Sequence, residues 1–173
     1  MHDQLLSLIK DVHDFPKSGI VFKDFTPLLA DPAALALAVE LMVNPFRGKR
    51  VDLVLGAESR GFIFGTAIAQ ALSAGFIPIR KAGKLPRPVY HVEYELEYGV
   101  DRLEIHADDV PRDSRVLIVD DLLATGGTLR ASRELAEMAG SKVIGATVLI
   151  ELMDLEGRKK ANGIDPLHAV LKI

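Results

Sequence analysis

An open, mostly parallel α/β sheet flanked by helices is the fold class this sequence predicts, and three observations predict it. Apolar runs at Val51 to Leu55, Phe76 to Ile79, Val116 to Val119 and Lys142 to Leu152 lack the polar alternation of a half-solvated strand, so they read as strands buried on both faces. Stretches with helical spacing of apolar residues alternate with these runs, as in a chain of strand–helix units. Two of the runs end in glycine-bearing loops, Gly56 to Gly61 and Leu122 to Gly127, each followed by a helical pattern. Open parallel sheets bind their ligands at such carboxyl ends of strands.

At 173 residues the chain fits one domain, 1–173, with residues of about 1–30 as a small N-terminal hood. Nearly half of the residues, 49%, are hydrophobic, enough for a substantial core. The net charge of −3 argues against a general nucleic-acid or membrane-surface binder. With no cysteine there is neither a disulfide framework nor a thiolate zinc site, and the five histidines lack ligand spacing. The N-terminus reads without a signal peptide. Gly61 to Ile79 is uncharged, but Gly65, Gln70, Ser73, Gly75 and Pro78 interrupt it, so it is expected to be a helix and a strand and not a membrane span.

Taken in order, Leu5, Leu6, Ile9 and Val12 fall at helical spacing, which predicts an amphipathic helix over residues 3–13 capped by Asp3. Phe15 to Asp24 is turn-rich around Pro16 and Gly19 and carries an exposed-looking Phe22. Asp31-Pro32 supplies an N-cap and a proline at the first helical position for a helix to about Val43. After the strand at Val51 to Leu55 comes a helix from Phe62 to Leu72, stopped at Gly75. Arg80 to Val89 combines four basic residues with Gly83, Pro86 and Pro88; it is either a solvated turn or a mobile lid. Alternation at Tyr90, Val92, Tyr94 and Leu96, then at Leu103 and Ile105, predicts a β-hairpin turning near Tyr98-Gly99 and forming an arm or flap. Leu129, Leu135 and Met138 make the apolar face of a helix from Thr128 to Met138. A polar helical turn at Gly157 to Ala161 and a strand at Leu167 to Leu171 close the chain.

The chemistry concentrates in VLIVDDLLATGGTL, Val116 to Leu129. Free amides at a helix start, its positive dipole end and the hydroxyls of Thr125 and Thr128 suit a phosphate monoester. Asp120 and Asp121 would repel that phosphate and suit sugar hydroxyls or a hydrated Mg²⁺ instead. A ribose 5-phosphate satisfies both halves. The loop at Gly56 to Gly61 repeats the anion-site physics with the guanidinium of Arg60 added. Neither loop carries GxxxxGK[ST], so a Walker-type hydrolase is excluded.

Two acidic residues and ATGGT after an apolar strand resemble the 5-phosphoribosyl-1-pyrophosphate (PRPP) signature of the type I phosphoribosyltransferases. With GAESRGFIFG at Gly56 to Gly65, RKAGKLP at Arg80 to Pro86, LEYG at Leu96 to Gly99 and FPKSGIVFKDFTPLL at Phe15 to Leu29, nearly the whole chain is similar to the adenine phosphoribosyltransferases. The resemblance implies transfer of the phosphoribosyl group from PRPP to N9 of adenine, with Mg²⁺, by a cytoplasmic homodimer. It implies that Ala124, Thr125, Gly126, Gly127 and Thr128 hold the 5′-phosphate and that Asp120 and Asp121 meet the ribose. Glu58 and Ser59, joined by a non-proline cis peptide, would present amides to pyrophosphate, whose charge Arg60, Arg80, Lys81 and Lys84 would carry. Adenine would stack between Phe22 and Leu122 with the backbone near Val21 and Lys23 at its edge, and Glu97 would handle the proton at N7. Glu97, Arg60 and Lys84 are thereby the expected catalytic residues. Two other functions fit parts of the pattern: a phosphoribosyltransferase for another base such as xanthine, and a PRPP-sensing regulator. The second would need a DNA-binding region, for which the 14 residues before Phe15 and the acidic charge leave little scope.

Overall fold

The computed structural model describes residues 1–95 and 99–173. Its backbone falls into two compact units, Met1–Leu41 and Met42–Ile173. In the first, helix α1 (His2–Leu6) is followed by strands β1 (Lys10–His13) and β2 (Val21–Asp24), helix α2 (Thr26–Ala30) and the start of helix α3 (Pro32–Val43). The expected helix over residues 3–13 is therefore corrected: it ends after Leu6, and Lys10 to His13 pair antiparallel with Val21 to Asp24. Asp3 does not cap it, since the N-cap position is Met1. A short amphipathic stretch has little helical stability of its own, so a strand partner that supplies backbone hydrogen bonds overrides the periodicity. The start of α3 is as expected: Asp31 Oδ1 accepts the amides of Ala33 and Ala34, both at 2.9 Å.

The second unit is built on a seven-stranded sheet of β3 (Leu53–Ala57), β4 (Gly75–Lys81), β5 (Val89–Glu95), β6 (Val100–His106), β7 (Arg115–Leu123), β8 (Lys142–Glu151) and β9 (Leu167–Lys172). Its order is β5-β6-β4-β3-β7-β8-β9. The five strands from β4 to β9 in that order run parallel, whereas β6 pairs antiparallel with β4 and with β5. The hairpin lies beside the strand core, as expected, and joins the sheet's edge through β6. Helices α4 (Gly61–Ala71), α5 (Gly127–Met138) and α6 (Gly157–Lys160) complete the unit.

β7 shows why the sheet has this centre. Val116 to Asp121 are all buried, with β3 on one side and β8 on the other. Apolarity ends at Val119, but pairing with β8 continues through Leu123, so Asp120, Asp121 and Leu122 lie on the strand and not past its end. α5 carries Leu129 into a cluster with Ile118, Leu123 and Val148, and Ala131, Leu135 and Ala136 into a second with Leu55, Ile79 and Val116. Met138, expected on that apolar face, is about half exposed. Gly75 opens β4 and does not stop α4; a Cβ there would lie 2.8 Å from Leu53 Cδ2, so close strand packing requires the bare residue.

Starting from β3, the chain first goes to β4 on one side and later to β7 on the other. That reversal makes the carboxyl ends of β3 and β7 the topological switch point, where open α/β sheets form their ligand crevice.

Candidate active site

A cleft of about 500 Å³ opens at these two strand ends, lined by Glu58, Ser59, Arg60, Lys81, Lys84, Asp120, Asp121, Leu122, Ala124 and Thr128. Sequence reasoning placed nine of these at the phosphate, ribose or pyrophosphate and Leu122 at the base, and the fold brings all ten to one cavity.

On the β3 side, the Glu58-Ser59 peptide is cis, as the resemblance implies. Glu58 Oε1 accepts the Lys81 amide at 2.6 Å and Arg80 Nε at 3.3 Å, and Oε2 accepts Lys84 Nζ at 2.5 Å. Arg80, Lys81 and Lys84, drawn from the end of β4 and the loop beyond, are therefore gathered on one nearly buried carboxylate. Burial pushes Glu58 up, but the Lys84 hydrogen bond, the Lys81 amide and the charges of Lys84 and Arg80 outweigh it and hold the carboxyl below its ordinary 4.5. The loop is tethered again at Gly83, whose amide donates to Glu104 Oε2 at 3.2 Å. Glu104 is itself buried and paired with Arg102 at 2.7 Å.

On the β7 side, Asp121 Oδ2 lies 3.0 Å from Arg60 Nε, an ion pair that ties the two strand ends together. Asp120 Oδ1 accepts the Asp121 amide at 2.9 Å. Gly61 lets the start of α4 approach this pair, since a Cβ there would sit 3.0 Å from Asp120 Oδ1. Burial and the adjacent charge of Asp121 push Asp120 well above the usual carboxylate range, so the pair resists carrying two full negative charges. Diminished negative charge makes this end of β7 less repulsive to an anion.

Between β7 and α5 the chain makes a tight loop. Gly126 adopts φ +86°, a left-handed conformation suited to glycine, and no side chain caps the helix start. Its amides, with Ala124, Thr125, Gly127 and Thr128, line a small cup of about 60 Å³. α6 braces the loop: a Cβ on Gly126 would collide with the Gly157 carbonyl, and one on Gly157 with the Ala124 carbonyl.

Val21, Phe22 and Lys23 form most of β2 in the first unit. There Phe22 meets Phe15 edge to face with ring centroids 5.3 Å apart, and Lys23 Nζ lies 2.8 Å from Asp11. Glu97 lies outside the described residues, as does much of the expected hairpin turn. Three residues that sequence reasoning did not single out also belong to the site's surroundings: Tyr94, Asp101 and Glu104. Glu104 sits between buried Leu103 and Ile105 on β6, and nothing in that local pattern separates a buried anchoring carboxylate from a solvated one.

The residues 26–166 match the phosphoribosyl transferase domain family, which places the chain among the phosphoribosyltransferases. An adenine phosphoribosyltransferase of Xanthomonas euvesicatoria is 55% identical over 163 residues, covering 94% of this chain and 88% of the relative. The crystal structure of adenine phosphoribosyltransferase from Thermoanaerobacter pseudethanolicus is 46% identical, covers both chains completely and superposes with a TM-score of 0.96. That of the Saccharomyces cerevisiae enzyme, complexed with an imino-altritol bisphosphate and adenine, is 37% identical over 98% of each chain with a TM-score of 0.92. The chain belongs to the adenine phosphoribosyltransferase family.

Proposed function

We propose that this chain transfers the 5-phosphoribosyl group of PRPP to N9 of adenine, giving AMP and pyrophosphate in purine salvage. The observation that carries the reading is the pairing of unlike loops at one switch point: a cation-gathering loop after β3, a bare-amide loop after β7, and buried Asp120 and Asp121 between them. The alternatives of another purine or a PRPP-sensing regulator lose ground because relatives of 55% identity over most of the chain are adenine phosphoribosyltransferases.

In this mechanism the amides of Ala124 to Thr128 hold the 5′-phosphate while Asp120 and Asp121 orient the ribose hydroxyls. Pyrophosphate leaves C1 as positive charge develops on the sugar, and the N9 lone pair enters from the opposite face. Arg60, Arg80, Lys81 and Lys84 stabilise the departing anion, and a closed Arg80–Val89 loop excludes water. Val21, Phe22, Lys23 and Leu122 provide the base contacts, and Glu97 handles the N7 proton. Asp120 and Asp121, paired carboxylates at the cleft, fit the neighbourhood of a Mg²⁺ carried mainly by substrate oxygens and water. Bound there, Mg²⁺ supplies charge neutralisation of the diphosphate. The reading includes a cytoplasmic homodimer, and no described helix is long and apolar enough to cross a membrane.

Formation of AMP from adenine and PRPP, assayed with Mg²⁺ and after chelation, tests the proposal, with hypoxanthine and guanine as competing bases. We expect Mg²⁺-dependent AMP synthesis; preference for hypoxanthine or guanine would reassign the base, and absence of any nucleotide product would end the reading.

A further inference from the structure

The sheet's antiparallel edge places Lys81 in a row with two polar side chains, Tyr94 and Asp101, that the proposed reaction does not use. Tyr94 on β5 stands directly opposite Asp101 on β6, and Lys81 on β4 stands opposite Leu103, two residues along β6. Residues opposite one another, or two apart on one strand, share a face of a sheet, so Tyr94, Asp101 and Lys81 are neighbours on a single face. The contacts follow this register. Tyr94 Oη donates to Asp101 Oδ2 at 3.2 Å, and Lys81 Nζ reaches the same oxygen at 3.4 Å. Asp101 Oδ1 accepts the Arg102 amide at 2.8 Å, which fixes the carboxylate. At the other end the Tyr94 ring is 9% exposed and packs under the phosphate loop, where a Cβ on Gly127 would lie 3.2 Å from Cδ2. From the same loop Thr128 acts on the phenol in the opposite sense to Asp101, drawing its pKa down.

Thr128 and Lys81 both line the cleft, and the row joins them behind its wall. We infer that Tyr94 and Asp101 are positioning residues that couple the loop holding the 5′-phosphate to the cation Lys81 that meets the pyrophosphate end of the same ligand. This rests on the proposed function and deepens it. A lysine is costly to order because its stem is freely rotating, and an anchor that orders it beforehand transfers that cost from binding to folding. Asp101 provides the anchor, Tyr94 fixes Asp101, and the Tyr94 ring registers both against Gly127.

The test is calorimetric titration of the full chain with pyrophosphate, together with steady-state AMP formation, for Tyr94→Phe, Asp101→Asn, Lys81→Ala and their pairs. Tyr94→Phe keeps the ring and removes only the hydroxyl. We expect Tyr94→Phe and Asp101→Asn each to weaken pyrophosphate binding about fivefold, within the range of coupled neighbours, with the adenine KM unchanged. Asp101→Asn in the Lys81→Ala background should add nothing further. A merely structural role would move adenine KM and PRPP KM together and give effects that multiply. Unchanged pyrophosphate affinity in both single variants, or multiplying effects in the pairs, overturns the inference. Should Tyr94→Phe fail to fold, the Asp101–Lys81 cycle alone decides. Calorimetry reads the coupling whether or not AMP is formed, so wild-type turnover judges the functional reading separately.

Discussion

Glu58 holds Arg80, the Lys81 amide and Lys84 on a side chain that is 9% exposed, so its charge organises the cations of the cleft. Hydrogen bonds to charged groups are worth about 1.5–3 kcal/mol each, which predicts that Glu58→Gln lowers kcat/KM for PRPP by about tenfold or more in steady-state assays. Because the native carboxyl lies below 4.5, its stabilisation is present above that pH and fades as pH falls through the lower native value. The stability gap between wild type and Glu58→Gln, read by denaturant unfolding, should therefore shrink as acid takes the pH below about 4.5. Tyr94 titrates in the opposite range. Burial first, then the Asp101 charge, push its phenol up to about 12 from an ordinary 10.0. Between those values the unfolded phenol has lost its proton and the native one keeps it, so stability falls as pH rises through this interval. Tyr94→Phe should flatten that alkaline decline in denaturation curves. Residue types at strand ends made Arg60, Lys84, Asp120 and Thr128 legible in the sequence. Tyr94 and Asp101 were not, because their partnership exists only through a cross-strand register that a one-dimensional pattern does not carry.

At the scale of elements, the phosphate loop and α6 form a unit. Glu151 at the end of β8 is buried and grips Arg158 through two contacts, at 2.6 and 2.7 Å, and Arg158 also donates to the Leu167 carbonyl at 2.7 Å. That clamp seats α6 so that Gly157 abuts the loop. Gly126→Ala meets both a left-handed φ and an occupied space, whereas Gly83→Ala meets a φ of +78° with open space around it. Left-handed backbone alone costs about 1–2 kcal/mol, so Gly83→Ala should stay near that figure and Gly126→Ala exceed it while raising the PRPP KM; thermal melts and kinetics compare the two. The sequence made the strand–loop–helix units visible through continuous apolar runs and glycine placement. It mispredicted residues 3–13 because their fate depends on which strand lies alongside, and pairing partners are tertiary facts.

For the whole molecule, an acidic chain of net charge −3 concentrates Arg60, Arg80, Lys81 and Lys84 at one crevice. Salt screens such exposed cations, with a Debye length falling from about 10 Å at 0.1 M to about 3 Å at 1 M. Raising NaCl across that range should raise the KM for PRPP several-fold and leave that for neutral adenine nearly flat; equal responses would remove electrostatics as the basis of discrimination. The fold class was legible because a doubly covered parallel sheet writes itself as uninterrupted hydrophobic stretches.

One consequence of the Glu58 arrangement concerns the end of the catalytic cycle. In the proposed mechanism a departing product anion would leave Lys84 and Arg80 with a resident counter-ion already at hand, so shedding pyrophosphate would be an exchange of companions and not the abandonment of bare cations. A site built so would grip a highly charged leaving group firmly and still surrender it.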